Sequence, residues 1–176
     1  MMVASLDRRV IHDEMEHAKT QFHRLLTVAS PADLKRRSDG TRWTNEQLLF
    51  HMLLGYLVVR TLLGLVRLFG RLPDGISRVF AFILNSGTRP FHVINYLGSC
   101  GGALVFRGER FASMFDRTIN SLHRHLDAEK EATLRQGMHF PVGWDPYFND
   151  VMSLADVYHY GTQHFEHHRR QLTIHR

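Results

Sequence analysis

One cysteine, Cys100, serves the whole chain of 176 residues. No intrachain disulfide can form, and Fe–S clusters and cysteine-rich zinc sites are excluded because each needs several thiolates. A continuous apolar leader is also lacking. The first residues, MMVASLDRRVIHDEMEH, are interrupted by charges, so no signal peptide is expected and a cytoplasmic location is the default. No convincing run alternates apolar and polar residues, and no internal repeat of fixed period is visible, which argues against sheets and solenoids. Gly101 and Gly102 lack the Gly-Lys-Ser/Thr continuation of a phosphate loop. Lysine clusters and nucleic-acid reading motifs are missing too, and a net charge of +5 is modest. Nucleic acid is therefore not an expected partner.

The hydrophobic fraction of 44% and charged fraction of 22% are those of a globular chain. With no composition shift along it, residues 1–176 read as one domain. The 13 histidines are the outlying number. They are spread over the chain, so they are not a tag, and their chemistry is that of metal ligation or acid–base work.

Helical spacing dominates. Residues 6–28 place Ile11, Met15, Ala18, Phe22 and Leu25 on one face, and Pro31 follows as a stop. A second helix starts at Thr44, with Gln47 completing a capping box and Trp43 and Leu48 placed as a hydrophobic staple. Its apolar run extends to about Phe69 and is long enough to span a membrane. His51, Arg60 and Arg67 interrupt it, which favours a buried helix with one wet edge, and no membrane is expected. Residues 74–85 read as a short helix with Asp74 as a possible cap. Residues 86–102, rich in Gly, Ser and Pro, read as a long loop. A third helix is expected from about 103 to 130, a second loop over 136–149, and a fourth helix from the Ser153/Asp156 capping box to about Leu172. The fold class is all-α, a four-helix bundle.

His164 and His168 are four residues apart, so both imidazoles leave one helical face, with Tyr160 one turn before and Gln171 one turn after. Such a pair can present two neutral nitrogens to one metal. His51 lies nine residues before Arg60, which is half a turn around the helix. If Arg60 faces water, His51 faces the interior, where it needs a partner. A packed, hydrogen-bonded histidine would satisfy each position taken singly; taken together, a three-histidine metal site is favoured. Three ligands leave coordination positions open, the catalytic pattern for zinc, though imidazole also suits nickel, iron and copper. Phe165 follows His164, so the metalloprotease His-Glu-x-x-His signature is not present, and Glu166 is out of phase with the pair.

Trp43, Thr44, Glu46 and His51 resemble the start of the second helix in the DinB/YfiT-like superfamily, and His164, His168 and Gln171 resemble its late H-x-x-x-H-x-x-Q motif. The resemblance covers nearly the whole chain, with an unusually long insert at about residues 70–102. It implies a bundle of the DinB/YfiT-like type in which His51, His164 and His168 hold a divalent metal, commonly zinc or nickel. It also implies similarity to transferases that use a low-molecular-weight thiol and to thiol-dependent isomerases. Homodimers are common in the family.

Three further groups are candidates. Arg89, Arg107 and Arg110 could receive the carboxylates of a thiol cofactor, or simply form a solvated rim. His139 and Trp144 could close a pocket mouth, or simply pack. Tyr160 and Gln171 could support a metal-bound group from outside the ligand set. Cys100 reads as small and apolar rather than nucleophilic. The leading expectation is a metal-dependent thiol S-transferase, or thiol-dependent hydrolase or isomerase, acting on small electrophiles. The alternatives are a non-catalytic, metal-stabilised stress-related or interaction protein and, ranked last, a membrane-surface protein.

Overall fold

Four long helices carry the core of the computed structural model, which describes residues 2–106 and 108–174. They are α1 (Met2–Val28), α3 (Asn45–Phe69), α6 (Glu109–Ala128) and α8 (Leu154–Arg169), with the short α2 (Pro31–Lys35) between the first two. Helix α3 packs on α8 and α6, and α1 packs on α6 and α8. Ile11, Met15, Ala18 and Phe22 of α1 are buried, as their spacing requires. Phe22 stacks on Phe115 of α6 at 4.0 Å between ring centroids. Both expected capping boxes form: Thr44 with Gln47 opens α3, and Ser153 with Asp156 opens α8. Arg60 is exposed and His51 is buried, in agreement with their half-turn separation.

Residues 86–102 are not a loop. They belong to α5 (Thr88–Val105), which forms a helical hairpin with α4 (Asp74–Ser86). Pro90 is tolerated because it is the third residue of α5, where a backbone N–H has no acceptor within the helix. The glycines are tolerated because α5 packs on α3. At Gly102 a Cβ would come within 2.0 Å of the Phe50 ring, so only glycine permits that approach. Packing here outweighs the weak helix propensity of Gly and Ser.

The third long helix begins at Glu109, after Gly108 at φ 56, because residues up to Val105 belong to α5. Asp74 does not cap α4: the cap position is Pro73, with no side-chain bond. The expected loop 136–149 opens with β1 (Gly137–His139), paired antiparallel with β2 (Val151–Ser153), Met138 opposite Met152. Three-residue strands are too short for alternation to show. The four-residue α7 (Glu131–Leu134) precedes them.

Helix α3 is long and apolar enough to cross a membrane, but 56% of its most apolar window is buried inside the protein, as in the core helix of a bundle. The α4–α5 hairpin differs in that it leaves large apolar side chains exposed, among them Phe82, Ile83, Ile94 and Leu104.

Candidate metal centre

His51 stands two turns into α3, and His164 and His168 stand on the facing side of α8. Two glycines let these helices approach. A Cβ on Gly55 would lie 2.4 Å from His164 Nδ1, and one on Gly161 would lie 2.8 Å from the Tyr56 ring. The approach brings His51 Nε2 within 3.1 Å of His168 Nε2 and 3.2 Å of His164 Nε2. The three form a group whose ligand atoms all lie within 4.8 Å of one another. The indole of Trp43 stacks on His51 at 4.4 Å.

The surrounding groups assign the tautomers. Ser99 Oγ donates to the Asn95 carbonyl at 2.9 Å. Its lone pair is then free to accept the proton of His51 Nδ1, 3.2 Å away. His168 Nδ1 donates to Gln171 Oε1 at 2.6 Å. A neutral imidazole that donates from Nδ1 carries a bare lone pair on Nε2. Two such lone pairs therefore face each other across 3.1 Å, which is repulsive unless a cation lies between them. His164 Nδ1 is buried over Gly55 and has no hydrogen-bond partner among the described residues.

Burial and the neighbouring histidines keep all three rings neutral. His51 is pushed down to about 3, first by burial and then by His168 and His167. His168 is pushed down to about 4 by burial, against the hydrogen bond to Gln171. His164 lies well below the usual histidine range, from burial and then the other two rings. Protons therefore do not compete for the nitrogens at neutral pH, the state that metal binding requires.

The donor set fits a divalent transition ion. Ligands about 2.0–2.1 Å from a tetrahedral zinc stand about 3.3 Å apart, close to the separations from His51. Asp145 Oδ2 lies 3.8 Å from His164 Nε2 but stands outside the three-histidine group. It accepts the Tyr160 hydroxyl at 3.0 Å. Burial raises the Asp145 carboxyl above its usual range, and burial beside Asp145 holds the Tyr160 hydroxyl far from ionising.

Two hollows meet the centre. His51 and His164 lie in the wall of a cavity of about 340 Å³ otherwise lined mostly by apolar side chains. His168 and Gln171 line a more open cleft of about 520 Å³, together with Arg42, Trp43, His92 and Tyr96. Arg42 lies over the Tyr96 ring at 4.7 Å. Arg89 and Arg110 are exposed and line neither hollow, and Arg107 lies outside the described residues. Trp144 lines the cavity. His139 does not; it is held by Asp150 at 3.0 Å and Asp74 at 3.2 Å.

Sequence reasoning missed Ser99, Gly55, Asp145 and Arg42. Ser99 and Asp145 fell in stretches read as loops, so no helical phase placed them. Gly55 did carry a signal: it is a glycine at i+4 from His51, on the same helical face.

A profile of the DinB superfamily matches residues 14–172. No curated protein and no solved structure matches the chain. The match spans α3 and α8 and all three histidines, so the chain belongs to the DinB superfamily.

Proposed function

We propose that this protein is a metal-dependent enzyme that transfers a low-molecular-weight thiol to small electrophiles. Its cofactor is a divalent ion, zinc or nickel, held by His51, His164 and His168. The observation that carries the reading is the convergence of three neutral Nε2 atoms, two with tautomers set by Ser99 and Gln171. The cavity against His51 and His164 supports open coordination positions over a closed structural site.

A bound ion of this kind supplies Lewis acidity, which favours the deprotonated form of a thiol. In the transfer the sulfur loses its proton to solvent and bonds to the electrophilic carbon, and the leaving group departs with its bonding electron pair. Arg42, which lines the cleft beside His168, takes a carboxylate of the thiol in this reading; Arg89 and Arg110 line neither hollow. Tyr160 orients Asp145 at the edge of the centre.

Elemental analysis of untagged protein tests the reading. About one equivalent of transition metal is expected, and His51→Ala and His164→Ala are each expected to lose it. Thiol-conjugating activity, screened over thiols and electrophiles, should disappear with the metal. Protein that is metal-free as purified and takes up neither added zinc nor nickel overturns the proposal.

A further inference from the structure

The cavity against the histidines is divided by polarity. Along α3 its wall runs through His51, Leu54, Val58, Leu62 and Leu65, 14 residues or about 21 Å at ~1.5 Å per residue. The histidines stand at one end of that stripe. Asp145 and Tyr160 stand with them, tied to each other by the hydrogen bond described above, with Asp145 3.8 Å from His164 Nε2. Beyond that end the lining is aliphatic and aromatic, apart from Thr61 and Asn95. The hairpin closes it from the other side with Phe80 and Leu84 of α4 and Phe91 of α5. Trp144 stacks on Phe91 at 3.9 Å and donates its Nε1–H to the Leu84 carbonyl at 2.9 Å. The indole therefore presents a face to the cavity with its one polar group already satisfied.

We infer that this cavity is the binding site for an apolar small molecule with one polar, electrophilic head. The apolar body lies between α3 and the α4–α5 hairpin, and the head is directed to His51, His164 and Asp145. The inference rests on the proposed reading of the centre and supplies its substrate class. Size narrows the class. A cavity of about 150 Å³ is known to accept benzene, and this one is about 340 Å³, so the body is of bicyclic aromatic size or an alkyl chain of similar bulk. Charged or strongly hydrated bodies are excluded, since few lining groups beyond the histidine end can replace lost water. The residues 70–102 that interrupt the superfamily resemblance thus determine specificity.

The test uses the purified full chain and N-phenyl-1-naphthylamine as probe, read by energy transfer from tryptophan. Saturable one-to-one binding is expected, with competition by n-alkanols that strengthens with chain length and then levels off as the cavity fills. Thr61→Trp and Leu62→Phe fill the cavity from positions that are not fully buried, and each should weaken binding at least tenfold. Circular dichroism checks that each variant folds. Ile83→Ser, on the exposed face of the hairpin, should leave binding unchanged. Absence of saturable binding overturns the inference, as does wild-type binding by both filled variants or loss of binding in Ile83→Ser. Chelator-treated protein separates the two proposals. Probe binding without any metal affinity overturns the enzyme reading alone; metal affinity without probe binding overturns the cavity assignment alone.

Discussion

Two groups of histidines occupy opposite settings in this molecule. Along the flanks of α1 four face carboxylates: His12 with Asp127 at 2.8 Å, His23 with Asp116 at 2.7 Å, His123 with Glu16 at 2.9 Å and His159 with Glu14 at 2.8 Å. At the α3–α8 centre His51, His164 and His168 face one another, and the groups that fix His51 and His168 are a hydroxyl and an amide. A carboxylate partner favours the imidazolium, whereas burial among other imidazoles favours the neutral ring. The carboxylate prevails at His159, whose pKa is raised by Glu14, while burial prevails at His123, whose pKa is lowered despite Glu16; the central rings are left to offer lone pairs. Counting histidines cannot separate these uses; the chemistry of each partner does.

The sharpest way to break the centre while sparing the flanks is Gly55→Ala. Its Cβ would stand 2.4 Å from His164 Nδ1, and the ring is fully packed, so it must leave its position. We expect metal affinity to fall by at least 100-fold while helicity is retained, since alanine favours a helix over glycine by about 1 kcal/mol. Gly64→Ala is the matched control, because nothing lies within 4 Å of its Cβ. Titration with a chromophoric chelator reads both variants, and wild-type affinity in Gly55→Ala would show that His164 is not a ligand.

Smaller effects are expected one layer out. Gln171→Ala and Ser99→Ala free the outer nitrogens of His168 and His51 and let the tautomers redistribute. Loss of such a partner typically costs about 10–100-fold in metal affinity. His23→Ala, on the flank, should cost none. Equal affinities for all three variants would mean that the tautomers are not held by Ser99 and Gln171.

Much of this contrast was legible in the sequence, and the limit is physical. The capping boxes at Thr44 and Ser153 fix helix starts, and the starts fix the phase of His51, His164 and His168. Local hydrogen bonds set those features, so a short stretch of sequence is enough to see them. Helix α5 was not legible, because Pro90, Gly98, Gly101 and Gly102 carry a loop's composition. What makes that stretch helical is contact with α3, including the close approach of Gly102 to Phe50. Ser99 therefore could not be placed beside His51, nor Phe91 in the cavity wall. Similarly, Asp145 reaches the centre only because the segment between β1 and β2 folds back onto α8.

The flank is tested by pH. The hydrogen bond to Glu14 raises the His159 pKa above its ordinary 6.5, against a smaller effect of burial, with Glu14, Asp156 and Asp7 adding favourable charge. A group whose folded pKa is raised binds its proton more tightly when folded. Its stabilisation is complete below about pH 6.5, the unfolded value, and is lost as pH rises through the folded value. The central histidines have the opposite sign, since their folded values are depressed; their effect fades over about one unit above 6.5, as the unfolded chain's imidazoles lose their protons, and it is common to wild type and variant. Metal-stripped wild type and variant melted side by side between pH 6.5 and 9 therefore isolate the His159 contribution. The His159 pair lies partly in solvent, with side chains 27% and 32% exposed, so its contribution is that of a surface pair, about 0.2–1 kcal/mol. His159→Gln should remove a small part of the fall in melting temperature with pH, seen as a shallower slope than wild type above pH 6.5. Parallel slopes would mean that the Glu14 contact does not hold the proton, and that the division between proton-sharing and lone-pair histidines fails at this position.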